Sequence, residues 1–478
     1  MHPWDPAHAS FAYGTWVSRM WAIWWTRNAG RAAIDAVRRD RFDALVQFAR
    51  KQSPIYRDAF RGLAEGGLDS TRFPVMTKRA LMSRFDDWVT DPAIKRSGVE
   101  AFLKDRHHIG DRYLGRYVIW KSSGTSGEPG IYVQDDDALG VYDALIAVQL
   151  ASPYLIGNCA WGSIVKGGRA ALVAATGDHF ASIASWERVS RGSPGLAARG
   201  FSVMLPLHRL VDELNDYQPA FLASYPTMLA LLAEEAEAGR LRIKPAILWS
   251  GGETFSDLAR NEVERAFGCP AVNEYGASEC MSIAFSCPVG WLHVNADRVL
   301  LEPVDRDFRP TRPGDASATV LVTNLANRVQ PIIRYDLGDS ITEHAEPCPC
   351  GNPLPVIRVE GRRDDVLSLP TADGDLVRLL PLAITTVVED ALGAHCFQIA
   401  QVRSDVLAVR FDIGDAAGKR AAWRAASRAL HRYLRSQSLP NVQVVLDDQC
   451  PVTDPRSGKL RQVIVAMEGN LEAVVSRR

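Results

Sequence analysis

Between residues 163 and 280, short apolar runs alternate with amphipathic helical patterns, and this alternation limits the fold more than any other feature of the chain. Ile164-Val165, Ala171–Ala174, Phe201–Leu205, Phe221–Ser224 and Ala246–Ser250 read as buried strands. Helical spacing fills 208–217, 226–239 and 256–267 between them. Buried strands joined by helices pack as a mainly parallel sheet covered by helices. Upstream, 30–66 and 136–152 have helical spacing, and Thr77 is placed to cap a helix. Downstream, 291–345 turns to shorter strands, Val299–Pro303, Thr319–Thr323 and Pro331–Arg334, which predict a small β subdomain. Gly361-Arg-Arg-Asp-Asp365 is a charged break. Beyond it come helices near 380–392 and 416–437 and strands near 396–412 and 442–446. The expected class is therefore α/β. A large N-terminal domain over 1–361 carries the helix-covered, mainly parallel sheets and the β subdomain, and a small α+β C-terminal domain follows over 362–478.

A chain of 478 residues exceeds one ordinary core, in keeping with two or three domains. With 47% apolar and 23% charged residues it has the make-up of a soluble globular protein. A net charge of −1 argues against nucleic acid or an anionic membrane as partner. Eight cysteines, one tight pair among them, do not make a disulfide scaffold; a cytoplasmic chain with a metal site fits better. The aromatic stretch Phe11–Trp25 is interrupted by Arg19 and followed by Arg27 and Arg31. It is too short to span a bilayer, which takes roughly 20 apolar residues. It reads as an amphipathic helix packed on the body, with contact to a membrane surface as the alternative.

Residues 118–133 hold a different signal. Val118-Ile119-Trp120 and Ile131-Tyr132-Val133 read as strands. Between them lies a loop with Ser122, Ser123, Gly124, Thr125, Ser126 and Gly127, preceded by Lys121. Glycines let successive N–H groups converge, and hydroxyls add donors, which suits an anion. Taken alone, such a loop is usually a connection, and it matches neither the common NTPase nor the dinucleotide spacing.

With the motifs downstream, the loop resembles the phosphate loop of the adenylate-forming superfamily, which includes acyl-CoA ligases and adenylation domains. The phenylacetate–CoA ligase branch is the most similar, from about residue 40 onward. Phe73-Pro-Val-Met-Thr77-Lys78 resembles an entry motif of that branch. Ser250-Gly251-Gly252-Glu253 matches the segment lining the adenine pocket; its plain reading is a strand-to-helix turn. Asn273-Glu274-Tyr275-Gly276-Ala277-Ser278-Glu279 is similar to the "Y-G-x-T-E" motif. The resemblance implies that Tyr275 stacks on adenine, Ser278 bonds the α-phosphate and Glu279 holds Mg²⁺, an oxygen-seeking cation. Arg334–Asp339 resembles "R-Y-R-T-G-D", which implies that Asp339 binds the ribose. Arg362 matches an arginine near ribose and phosphate, and Asp364 the hinge of a mobile C-terminal domain. Pro455-Arg-Ser-Gly-Lys459 resembles the loop whose lysine meets carboxylate and α-phosphate. In isolation Lys459 would be a solvated surface residue.

Cys287-x5-His293 and Cys348-Pro-Cys350 supply four ligands suited to tetrahedral structural Zn²⁺. Some relatives in the branch carry a comparable cluster. The alternatives are buried thiols with an ordinary strand histidine, or Cys280 and His344 as ligands. After the hinge the ligases have a glycine- and asparagine-bearing loop used in the thioester step. Here Val366–Arg378 stands instead, with Asp373-Gly374 as a hairpin turn.

The expected function is ATP-dependent activation of a carboxylic acid, of aryl or arylalkyl type by resemblance, to acyl-AMP and pyrophosphate. Transfer to a thiol of CoA or carrier-protein phosphopantetheine follows. The altered loop favours adenylation without strong CoA dependence. The rivals are amide formation on a free amine and a nucleotide-binding pseudoenzyme or scaffold.

Overall fold

The computed structural model describes residues 16–63, 69–122, 129–165, 167–192, 197–253, 255–359, 367–379, 381–392, 397–413, 415–452 and 462–466. A nine-stranded sheet organises the large part. Its order is Ile341–Glu343, Val356–Val359, Leu292–Val294, Cys280–Ser286, Ala271–Ala277, Ile247–Gly251, Phe221–Ser224, Ala170–Ala174, Ala198–Ser202. The last five strands pair in parallel. Three of them, Ala170–Ala174, Phe221–Ser224 and Ile247–Gly251, match the apolar runs; the run Phe201–Leu205 only overlaps the end of Ala198–Ser202, and Ala271–Ala277 was not read as a strand. Helices Leu207–Tyr217, Pro226–Glu237 and Asp257–Phe267 lie between them, as expected. The first five pair antiparallel, extending the sheet across residues far apart in sequence.

Ile164-Val165 is not a strand. It ends the helix Ile156–Val165, whose sequence IGNCAWGSIV is apolar enough to mimic a buried strand over any short window. Val299–Val304, Thr319–Asn324 and Ile332–Asp336 form a separate antiparallel sheet, as expected of the β subdomain, whereas Leu292–Val294 and Ile341–Glu343, at the ends of the stretch 291–345, join the nine-stranded sheet instead. Thr77 caps Lys78–Ser83, its hydroxyl accepting from Ala80 N–H at 3.3 Å. The helical stretch after residue 30 breaks at Ser53, where Pro54 opens a new helix, Pro54–Ala59.

The C-terminal part is α+β. A four-stranded sheet in the order Gln443–Leu446, Val406–Phe411, Phe397–Arg403, Val463–Val465 is accompanied by helices Pro381–Leu392 and Ala416–Ser436. Leu367–Pro370 and Leu376–Leu379 pair as the hairpin expected around Asp373-Gly374, with Gly374 at φ +91°. Arg378 on this hairpin pairs with Glu234, and Arg106 meets Asp390 at 2.9 Å.

At the N-terminus, Trp16–Asn28 packs on Asp136–Leu150, with Arg19 to Asp137 at 2.5 Å. Its other face bears Trp21, Trp24 and Trp25, 58%, 46% and 60% exposed and mutually in contact. Among the described residues no helix is long and apolar enough to cross a membrane.

Candidate active site

A cavity of about 2830 Å³ runs along one face of the parallel strands, from Ala170, Ala220 and Ala246 at their amino ends to their carboxyl ends, where α/β sheets bind ligands. Tyr225, Gly252 and Ala277, each at or just past the end of a parallel strand, line it. Four motifs distant in sequence face it: Ser122 at the foot of the loop, Gly251–Glu253, Glu274–Glu279 and Asp339.

The strands Tyr117–Lys121 and Ile131–Gln134 form the predicted antiparallel pair. Ser122 closes the base of their loop: its N–H donates to Gly130 O at 2.9 Å and its Oγ accepts from Gly130 N at 2.8 Å. Ser123, Gly124, Thr125, Ser126 and Gly127 lie outside the described residues. Lys121, which precedes the loop, is paired with Asp178 at 2.5 Å.

The Ala271–Ala277 and Cys280–Ser286 strands make a tight hairpin with a register shift at Gly276. The backbones approach so closely there that a Cβ on Gly276 would overlap the Met281 carbonyl. The shift turns Ser278 and Glu279 towards the cavity. Trp120 Nε1 donates to Ser278 O at 2.8 Å and Asn324 Nδ2 to Glu279 O at 3.0 Å, fixing the turn. Glu279 is buried, and its Oε1 accepts from Tyr132 at 2.5 Å and from Tyr335 at 2.8 Å. Burial first, and then the adjacent carboxylate, push both phenols well above their ordinary value, so they act as neutral donors. Sequence reading missed these two tyrosines. Each lay inside a stretch already singled out, Tyr132 in the strand after the loop and Tyr335 beside Arg334.

Tyr275 donates to Asp339 Oδ2 at 3.0 Å, bringing together the residues read for adenine and ribose. Gly252 has φ +84° and lies against the Tyr225 ring. Glu253 accepts from Thr227 N–H at 3.2 Å and from its hydroxyl at 2.7 Å, so its carboxylate caps helix Pro226–Glu237. Ser256 caps the helix that follows. Glu274 accepts from Trp249 Nε1 at 2.6 Å and from Ser282 at 2.7 Å. Burial raises it from 4.5 to about 7 against these two bonds. Arg362, Asp364 and Lys459 lie outside the described residues. Pro451, in the segment leading to Lys459, lines the cavity.

Away from the cavity, one ligand atom from each of Cys287, His293, Cys348 and Cys350 lies within 4.8 Å of all the others. Cys287 and Cys348 sulfurs are 3.7 Å apart, and Cys350 is 3.4 Å from His293 Nε2. His293 Nδ1 faces Leu354 O at 3.3 Å, which leaves Nε2 to the thiols, as a ligating histidine requires. Burial raises Cys287, but the His293 bond and backbone N–H groups outweigh it and lower the thiol to about 6. Burial and the neighbouring sulfurs push Cys348 up to about 12. Such crowding of uncompensated thiols fits a thiophilic cation. Among the described residues Cys280 and His344 stand outside this group; His344 stacks on Trp291 at 4.3 Å.

No family model matches the chain. It is 26% identical over 355 residues to a phenylacetate-coenzyme A ligase of Thermus thermophilus, covering 70% of this chain and 72% of that one. Against a phenylacetate-coenzyme A ligase of Pseudomonas putida the identity is 22% over 361 residues, covering 70% and 73%. Among solved structures, 2-hydroxyisobutyryl-CoA ligase in complex with 2-HIB-AMP and CoA superposes with a TM-score of 0.58 at 20% identity, covering 97% and 96%. The same ligase in its postadenylation state gives 0.55 at 20% identity, covering 100% and 98%. These likenesses establish the fold.

Proposed function

We propose that this chain, phenylacetate–CoA ligase-like and built on the adenylate-forming fold, is an ATP-dependent ligase that activates a small carboxylic acid as acyl-AMP and passes it to a thiol. One observation carries the reading: motifs spread from Ser122 to Asp339 line a single cavity with room for a nucleotide and an acid together. The named ligase relatives support the same chemistry.

In this reading Tyr275 and Asp339 seat the nucleoside, with Gly251 and Gly252 allowing backbone close to the adenine. Ser278 and the loop from Ser122 to Gly127 bind phosphate oxygens. Glu279, an acid with no cationic partner among the described residues, holds Mg²⁺. Bound there, the cation neutralises phosphate charge. Tyr132 and Tyr335 fix the Glu279 carboxylate for that task. Lys459 stabilises charge as the acid attacks the α-phosphorus, Arg362 contacts ribose and phosphate, and Asp364 is the hinge. Cys287, His293, Cys348 and Cys350 hold one structural Zn²⁺.

The thiol is CoA. Relatives named as CoA ligases outweigh the altered loop at Val366–Arg378, which pointed to weak CoA dependence. A carrier-protein pantetheine is the competing acceptor. The setting is cytoplasmic, and the exposed tryptophan face of Trp16–Asn28 favours a surface contact of that helix. Incubation of protein, ATP and a panel of acids with CoA, with a pantetheinylated carrier protein and with simple amines tests the proposal. Acyl-CoA is the expected product. Adenylation followed by acylation of the carrier or of an amine alone would replace the acceptor. No AMP release with any acid would refute the ligase reading.

A further inference from the structure

Taking the ligase reading as given, the cavity says more about the acid. Two of its basic side chains are paired with acids: Lys121 with Asp178 at 2.5 Å, and Arg188 with Asp143 at 2.6 Å. Several cavity-lining carboxyls take hydrogen bonds from neutral donors: Glu253 from Thr227, Asp336 from Thr319 and Gly338, Asp339 from Tyr275, Glu279 from Tyr132 and Tyr335, and Glu274 from Trp249 and Ser282. Glu253 caps a helix, and Asp336 and Asp339 belong to the motif read for the ribose. Glu279 faces the site read for the metal and phosphates. Glu274 has no such explanation.

The surroundings of Glu274 are apolar. It stands on the same sheet face as Trp249, with Gly251 directly opposite it in the register. A Cβ on Gly251 would stand 3.2 Å from Glu274 O and 3.8 Å from its Cβ, so the glycine lets the two strands approach closely here. Phe221 and Phe285 pack on the Trp249 ring at 6.0 and 5.5 Å. Ala223 and Leu172 continue this face along the sheet, and Ile146 lines the cavity from helix Asp136–Leu150. Desolvation here is strong enough to push the carboxyl to about 7. An acid in an apolar wall is costly unless something compensates it. Trp249 and Ser282 each satisfy one oxygen, leaving lone pairs for a further donor. The surface Glu274 keeps is on the cavity it lines, so a bound molecule can reach it. An indole beside a carboxylate is also a good seat for an ammonium group.

We propose that the substrate is an amino-bearing carboxylic acid, whose ammonium group seats on Glu274 beside Trp249 while its carboxyl is activated. The apolar wall contacts the carbon frame between the two groups. The role of Glu274 is specificity: it selects the amine and takes no part in the chemistry at phosphorus.

The test pairs acids of equal shape with and without an amine: aminomethylbenzoate against ethylbenzoate, phenylalanine against 2-methyl-3-phenylpropionate, and a linear ω-amino acid against the fatty acid with a methyl in place of the amine. Acid-dependent ATP–pyrophosphate exchange and calorimetric binding are measured on wild type and on Glu274→Gln. In at least one pair the amine form is expected to be preferred by about 10- to 100-fold in kcat/KM, the range for a hydrogen bond to a charged group. Glu274→Gln should collapse that ratio to near one. Exchange that favours the neutral partner in every pair overturns the inference and leaves the ligase reading intact. So does a ratio that survives in Glu274→Gln. Preference for hydroxy acids over amines also overturns it, making Glu274 a protonated donor. Absence of exchange with every acid, alongside amine-dependent binding lost in Glu274→Gln, sinks the ligase reading and keeps the amine site. Absence of both sinks the two together.

Discussion

Replacing Gly276 by alanine strikes the hairpin that carries Tyr275, Ser278 and Glu279. The added Cβ would sit 2.9 Å from the Met281 carbonyl carbon and closer still to its oxygen, against 3.4–4 Å for ordinary contact. Both atoms are backbone, so no side chain can swing aside. The two strands must part by about 1 Å, on the scale of misplacement that costs catalysis ~10²-fold. The displacement reaches two sets of contacts: Tyr275 to Asp339 at 3.0 Å, and Glu279 to Tyr132 and Tyr335 at 2.5 and 2.8 Å. Overpacking of this kind also costs roughly 1–3 kcal/mol of stability. Acid-dependent ATP–pyrophosphate exchange and thermal denaturation measure the two effects separately. A Gly276→Ala protein that melts a few degrees lower yet keeps wild-type kcat/KM would refute the claim that this hairpin positions the reacting groups.

Four further outcomes are expected. Lys459→Ala lowers acyl-adenylate formation by ~10²-fold or more, the scale of one lost transition-state donor, and unchanged exchange would remove Lys459 from the mechanism. Glu279→Gln shifts the Mg²⁺ dependence of exchange more than it weakens ATP binding, and superimposable Mg²⁺ titrations would count against it as the ligand. Metal analysis of protein purified without chelators finds one zinc per chain, and Cys348→Ser loses both the metal and melting temperature; zinc-free protein of full stability would end that assignment. Burial raises Glu274 from 4.5 to about 7, so the folded state binds more protons than the unfolded between those values. Stability without substrate should therefore fall as pH rises through that window, by a few kcal/mol at most, and Glu274→Gln should flatten the slope; equal slopes in the two proteins would contradict it.

Three strands of the parallel half were legible because buried strands are apolar throughout, as Ala171–Ala174 and Phe221–Ser224 are; Ala198–Ser202 and Ala271–Ala277 carry Arg199, Asn273 and Glu274, and their polar residues hid one and shifted the other. Apolarity misled at Ile164-Val165, where a helix apolar all round looks like a strand. The antiparallel half was hidden for another reason. Leu292–Val294 pairs with Val356–Val359 across some sixty residues of chain, and no local pattern encodes such a pairing. At the site, Glu279 and Tyr275 stood out through the resemblance of their motif, in order with the loop upstream, to the adenylate-forming superfamily; alone the stretch would read as a common loop. Their partners did not. Tyr132 and Trp249 read as ordinary strand aromatics, Tyr335 lay in the Arg334–Asp339 motif without a role of its own, and only folding brings their polar atoms to a carboxylate. The Cys287, His293, Cys348 and Cys350 group was legible because cysteine is scarce in the chain and two short spacings supply a tetrahedral set.

Acid-dependent exchange of labelled pyrophosphate into ATP, screened across a broad panel of carboxylic acids, tests the central claim most directly. Reversible acyl-adenylate formation predicts exchange that requires both Mg²⁺ and one class of acid, proceeds without any thiol, and is lost in Lys459→Ala. ATP binding with no exchange for any acid would contradict it, and would make the cavity a nucleotide site without this chemistry.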